Sequence, residues 1–207
     1  MKRIIILFLL IITVSLFAEE KKDNKIIIYT AYRYNAIPDF ILSPFYEEFQ
    51  SVNGHSFSLQ TSFKVGDFAY TIDLDYMSLK ADKDAYWRQK DKAPDWVIID
   101  TAYLNLGINF EWFTRFTPKF EMITTVGLGL GTFLGELKRY KIGGTAIGDP
   151  TDFPEDDLKP AVFGHLLIAV GAQYEVYSIK NQNPIYLRIN LGFKNSLFAG
   201  FSIGYQL

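Results

Sequence analysis

From residue 25 onward, apolar and polar residues alternate with a period of two, the pattern of a sheet with one apolar and one polar face. In the clearest stretch Phe68, Tyr70, Ile72, Leu74 and Tyr76 fall on one side, and Ala69, Thr71, Asp73, Asp75 and Met77 on the other. Two carboxylates on one face suit a half-polar strand better than a helix packed into a core. The preceding stretch sets Phe57, Leu59, Thr61, Phe63 and Val65 against Ser56, Ser58, Gln60, Ser62 and Lys64, and Gly66-Asp67 joins the two as a hairpin. The same pattern predicts strands over residues 25–35, 96–112, 119–134, 161–177, 185–194 and 196–207, about eight in all. In the last of them only Phe198 breaks the alternation.

The connections carry a separate signal. Those over residues 36–54, 80–95 and 135–160 are long, whereas those at Gly66, 113–118, 180–184 and Asn195 are short. Transmembrane barrels have short turns on the periplasmic side and longer loops outside, so an N-terminus on the inner side places every long loop outside. Alternation alone does not say which face meets lipid, because soluble and membrane barrels exchange the two. Residue size decides. The polar face carries Thr125, Gly127, Gly129 and Gly131 on one strand and Asn190 and Gly192 on another, small residues that suit a narrow eight-stranded interior. The opposite face carries Met122, Val126, Leu128 and Leu130, then Leu166, Ile168, Val170 and Ala172, then Leu187, Ile189, Leu191 and Phe193, and needs hydrocarbon around it.

Aromatic residues gather toward strand ends on that apolar face. Phe63, Phe68, Phe110, Trp112, Phe120, Tyr174 and Tyr205 fall near the short turns, and Tyr34, Phe57, Tyr76 and Trp96 toward the loops, as two interfacial girdles. From Phe68 to Tyr76, a strand tilted by about 40° rises roughly 20 Å, close to the apolar band of about 25 Å expected of such barrels. The fold class is therefore all-β, an eight-stranded antiparallel up-and-down transmembrane β-barrel.

Composition narrows the picture further. Lys2 and Arg3 followed by the apolar run from Ile4 to Ile12 read as a signal peptide over residues 1–18, cut after Ala18, with the barrel occupying 19–207. The absence of cysteine rules out a disulfide scaffold, a lipid-modified N-terminal cysteine and thiolate metal sites. A formal charge of −2 gives no general affinity for nucleic acid. No cofactor is expected.

On this architecture, and on the aromatic strand-like C-terminus Phe201, Ile203, Tyr205 and Leu207, the chain resembles the small eight-stranded outer-membrane proteins of the OmpA/OmpX type, including the OmpW-like branch. The resemblance covers the whole mature chain and implies a place in the bacterial outer membrane, with lipid and lipopolysaccharide-type surroundings. It also implies handling by the outer-membrane assembly machinery, which recognises a C-terminal Phe in many such proteins. Here the last residue is Leu207.

Candidate chemistry is sparse. Of the two histidines, His55 opens the second strand at the outer rim, and His165 is followed two residues on by Leu167. Lipid-facing deacylases of this architecture carry His and Ser two residues apart, a spacing absent here, although His55 with Asp82 or Asp84 would serve an acyl-transfer arrangement. The loop carboxylates Asp149, Asp152, Glu155, Asp156 and Asp157 lack any fixed ligand spacing and read as a solvated acidic segment. In the first loop, Phe40, Ile41, Leu42, Phe45, Tyr46 and Phe49 place apolar surface in a connection, which either covers the barrel mouth or contacts an apolar ligand. Inside, alternation places Arg33, Asp73, Asp75, Glu175, Arg188 and Lys194 together as a lumen charge cluster. Arg33 and Lys194 are expected to meet Asp73 and Asp75, and Arg188 to meet Glu175 across a short turn. The leading function is a non-enzymatic barrel presenting surface loops, for envelope integrity or partner contact. A narrow channel for small hydrophobic solutes is the alternative, and a lipid-modifying acyl-transfer enzyme the third.

Overall fold

The computed structural model describes residues 24–81, 86–89, 95–134, 136–141, 162–177 and 183–207. The expected signal peptide and the acidic loop carboxylates lie outside them, as do Asp82 and Asp84. Eleven strands follow in chain order: β1 (Asn24–Ile37), β2 (Tyr46–Glu48), β3 (Val52–Val65), β4 (Phe68–Ala81), β5 (Tyr86–Gln89), β6 (Asp95–Thr117), β7 (Phe120–Phe133), β8 (Glu136–Lys141), β9 (Phe163–Tyr177), β10 (Ile185–Lys194) and β11 (Ser196–Gln206). One short helix, α1 (Asp39–Leu42), interrupts the first loop.

Eight of the strands form a closed ring. Each of β1, β3, β4, β6, β7, β9, β10 and β11 pairs antiparallel with the next, and β11 returns to β1. Following paired residues around the ring leads from Ile26 through Phe63, Tyr70, Phe110, Val126, Ile168, Phe193 and Leu197 to Ala36, so the ring closes with a stagger of ten residues along β1. Eight strands with that stagger tilt by about 40° and enclose a cylinder of radius about 8 Å, just wide enough to be filled by side chains. Closure leaves no sheet edge within the barrel wall, which is what a bilayer demands of backbone polar groups.

The alternation read from the sequence is the alternation of burial. In β3 every residue of even number from Val52 to Lys64 is buried, and in β7 Glu121, Ile123, Thr125 and Gly127 are buried while Met122, Val126 and Leu128 are exposed. The exposed set includes Leu59, Leu74, Leu130, Leu166, Val170, Ile189, Leu191 and Ile203, a continuous apolar exterior. Two turns rest on left-handed backbone. Gly66 has φ +60° at the first position of the two-residue hairpin turn, where a type II′ turn favours glycine, and Asn195, also at +60°, is the single residue between β10 and β11.

The connections depart from expectation in three places. The fourth is tighter than residues 113–118, because β6 runs on to Thr117 and only Pro118 and Lys119 turn. Trp96, expected in the loop-side girdle, lies instead on a stretch of β6 beyond the barrel wall, opposite Tyr86 of β5 and Tyr140 of β8. The long loops also contain strands. Barrel pairing of β4 with β6 ends at Lys80 and Asp100, and residues 95–100 of β6 continue against β8, with β5 pairing at their tip and β2 on β5. Segments of all three long loops thus assemble into one sheet, ordered β2-β5-β6-β8, above the loop-side rim. Two of its three pairings, β2 with β5 and β6 with β8, are non-local, and sequence periodicity over three to six residues does not reveal them.

Candidate functional site

The lumen is organised in layers. Nearest the short turns, Arg188 of β10 donates through Nη1 to Glu111 Oε1 of β6 at 2.7 Å. Its Nε and Nη2 donate to Gln173 Oε1 at 3.3 and 3.0 Å, and the same oxygen accepts from Tyr29 Oη at 2.7 Å. The guanidinium lies over the Tyr29 ring at 4.2 Å. Gln173 Nε2 then donates to Glu121 Oε2 at 3.3 Å, which also accepts from Lys64 Nζ at 2.6 Å. Lys64 sits over the ring of Phe113 at 3.8 Å, and Arg115 closes the layer toward the turns at 3.4 Å from Glu121. The side chains of Arg188 and Glu111 are almost fully buried, whereas that of Arg115 is 57% exposed.

A second layer lies toward the loops. Lys194 is six residues beyond Arg188 on the same strand, about 20 Å along it. Arg33 Nη1 and Nη2 donate to Asp75 Oδ1 and Asp73 Oδ2 at 3.1 and 3.4 Å, and Lys194 Nζ donates to Asp75 at 3.2 Å and to Asp73 at 3.3 Å. Gln60 Nε2 donates to Asp73 at 3.3 Å and Asn105 Nδ2 to Asp75 at 3.2 Å. Two cations therefore meet two carboxylates, all four side chains nearly inaccessible. Buried charge of this kind persists only when paired and hydrogen-bonded. Phe198, which breaks the alternation of its strand, points into this layer with the Arg33 guanidinium 5.2 Å from its ring. Between the layers the wall carries Ala31, Gly107, Gly127, Ala169, Gly192 and Gly200. A Cβ on Gly129 would come within 2.6 Å of the His165 ring, and one on Gly131 within 2.3 Å of Asn105 Oδ1, so β7 is glycine-rich because side chains of neighbouring strands lie across it.

Arg33, Asp73, Asp75 and Lys194 converge in one layer, and Arg188 belongs to the other. The expected pair of Arg188 with Glu175 does not form. The guanidinium pairs with Glu111 across the lumen, and a register shift between Ile185 and Tyr186 sets Glu175 opposite Tyr186, half-buried at the turn-side end. In the first loop, Leu42, Tyr46 and Phe49 pack on Val52, Met77 and Leu79 at the top of the lumen, Ile41 is half-buried, and Phe40 and Phe45 stay exposed at 68% and 66%. Sequence reasoning missed Lys64, Glu111, Glu121, Gln173 and Tyr29 as lumen partners. Parity was the available signal: Glu111 falls two residues after Asn109 and four after Gly107, on the inward set of its strand.

Among the described residues no helix is long and apolar enough to cross a membrane, and no group of three or more His, Asp or Glu side chains is placed to hold a metal ion. A closed eight-stranded ring, an apolar exterior flanked by aromatic residues and a charge-paired interior together define a transmembrane β-barrel with a filled lumen. No family model and no curated protein matches the chain. Among solved structures it is similar to Neisserial surface protein A, with 14% identity, a TM-score of 0.49 and coverage of 88% of this chain and 96% of that one. It is also similar to the Yersinia pestis outer membrane protein Ail in a phospholipid bilayer nanodisc, with 12% identity, a TM-score of 0.42 and coverage of 89% and 99%.

Proposed function

We propose that the chain is a bacterial outer-membrane protein that acts as a sealed anchor, holding a surface β-sheet above the membrane for contact with partners or for envelope integrity. The observation that carries this reading is the double charge-paired layer across the lumen, because a solute moving through would have to strip partners from Arg188 and Glu111 and then from Arg33, Lys194, Asp73 and Asp75. With the lumen filled, the feature left to work at the surface among the described residues is the β2-β5-β6-β8 sheet. The outward C-terminal residues Phe201, Ile203, Tyr205 and Leu207 support recognition by the outer-membrane assembly machinery.

The apolar cap of Leu42, Tyr46 and Phe49 over Val52, Met77 and Leu79 supports a narrower second reading, in which a small hydrophobic ligand is held at the mouth beside Phe40 and Phe45 without passing through. The acyl-transfer reading gains nothing comparable, since the described polar partner of His55 is Tyr32. Planar-bilayer recordings of the purified protein test the anchor. A steady large conductance in the wild type refutes it. Because the chain has no cysteine, Arg88→Cys can be labelled on intact cells with a membrane-impermeant maleimide. Reaction places the β2–β5 pairing outside, and labelling only after lysis refutes that placement.

A further inference from the structure

One polar constellation lies on the lipid-facing exterior, outside the lumen networks. On β3 and β4 the outward pairs run from Leu59 with Leu74, through Phe57 with Tyr76 and His55 with Ser78, to Asn53 with Lys80. Polarity therefore rises step by step toward the loop-side rim, where hydrocarbon gives way to headgroups. His55 is held within this gradient. Its Nδ1 is 2.6 Å from Tyr32 Oη, and the two rings stack with centroids 5.7 Å apart. Tyr34 meets the imidazole edge-on at 5.7 Å, and Tyr32 is in turn braced by Phe57 and Phe201.

We propose that this cluster is a binding site for the phosphate of a membrane lipid in the loop-side leaflet, with His55 as its centre. In the tautomer whose Nδ1 accepts from the Tyr32 hydroxyl, Nε2 carries the N–H and is the ring's donor. Ser78 is the immediate cross-strand neighbour, and Asn53 stands one pair closer to water. Donors gathered on one patch match a phosphate, which accepts several hydrogen bonds and carries negative charge. Below them, Phe57, Tyr76, Leu59 and Leu74 offer an apolar track for the acyl chains of the same lipid. An ordinary girdle residue samples headgroups loosely. Here two tyrosines fix the imidazole before any lipid arrives, which lowers the ordering cost of binding.

The proposal rests on the exterior lying in a bilayer, and the test separates the two. The protein, folded in a maltoside micelle and labelled with ¹⁵N at histidine, has only His55 and the lumen-buried His165 to report. Titration with dioctanoyl phosphatidic acid is expected to move the His55 Nε2 resonance saturably while His165 stays fixed. Ser78→Ala should weaken the apparent affinity by about tenfold, the scale of a hydrogen bond to a charged group, and Tyr32→Phe, which releases the imidazole from its fixed orientation, should weaken it as well. A silent His55 in a folded, heat-modifiable barrel overturns the site but leaves the membrane reading standing. An equal shift with dioctanoylglycerol, which lacks phosphate, also overturns it, as does saturation by inorganic phosphate at the same concentrations, since the site would then read a free anion. A protein that folds and stays monodisperse without detergent overturns the membrane reading itself.

Discussion

Replacing Arg188 with alanine is the sharpest test of the sealed lumen. The side chain is 2% exposed and supplies the hydrogen bond to Glu111 at 2.7 Å, two to Gln173 and the face contact with Tyr29. The Glu111 side chain is itself only 4% exposed, and its other carboxylate oxygen is buried without a protein partner. Removing the arginine therefore strands a buried carboxylate, and breaking a buried pair in this way costs about 3–5 kcal/mol. With a urea slope of about 2 kcal/mol per molar, the unfolding midpoint in micelles should fall by roughly 2 M. The double variant Arg188→Met with Glu111→Leu should regain most of that loss, because no uncompensated charge remains and Tyr29 still donates to Gln173. Urea titration followed by tryptophan fluorescence and heat-modifiable gel mobility measures all three proteins. A single variant as stable as the parent, or a double variant worse than the single, would show that water solvates this layer and that its pairs do not seal the barrel.

Three further outcomes follow from the same geometry. Arg115→Ala should change stability by about 1 kcal/mol or less, because its pair with Glu121 is open to solvent, whereas Lys64→Ala should cost about 3 kcal/mol by leaving Glu121 without its 2.6 Å partner; equal losses in urea titration would contradict the difference in burial. Gly129→Val should destabilise the barrel by about 2 kcal/mol or more, since even a Cβ there would lie 2.4 Å from the Leu106 carbonyl oxygen and 2.6 Å from His165; a variant with an unchanged unfolding midpoint would refute the close approach. Deleting residues 196–207 opens the ring between β1 and β10, and the truncated chain should lose heat-modifiable mobility, whereas a stable truncated barrel would rule out closure through β11.

The barrel was legible in the sequence because a strand writes its two faces in alternate residues, and a bilayer leaves no tolerance for error on either. Parity sorted each strand into two sets, and the small residues of the polar set decided which faced inward: Met122, Val126 and Leu128 went to lipid, Thr125 and Gly127 to the lumen, with Arg33, Asp73, Asp75 and Lys194 inside. What parity cannot give is height and azimuth. Two inward residues meet only if the stagger of the ring brings them level, and that stagger emerges from eight pairings acting together. Hence Arg188 finds Glu111 on β6 and not Glu175 near it in sequence, and Lys64 finds Glu121, 57 positions further along the chain. A search along one strand for a serine two residues from His55 finds Phe57, while the fold sets Ser78 beside it from the next strand and Tyr32 against its ring. The surface sheet was the least legible part, because β2, β5 and β8 are too short to show a period and β2 and β8 pair only with segments distant in the chain. The sequence by itself determined which face of each strand meets lipid, since hydrophobic transfer acts on residues one at a time. Only the tertiary structure decided which charges neutralise one another, since that depends on distance across a closed ring.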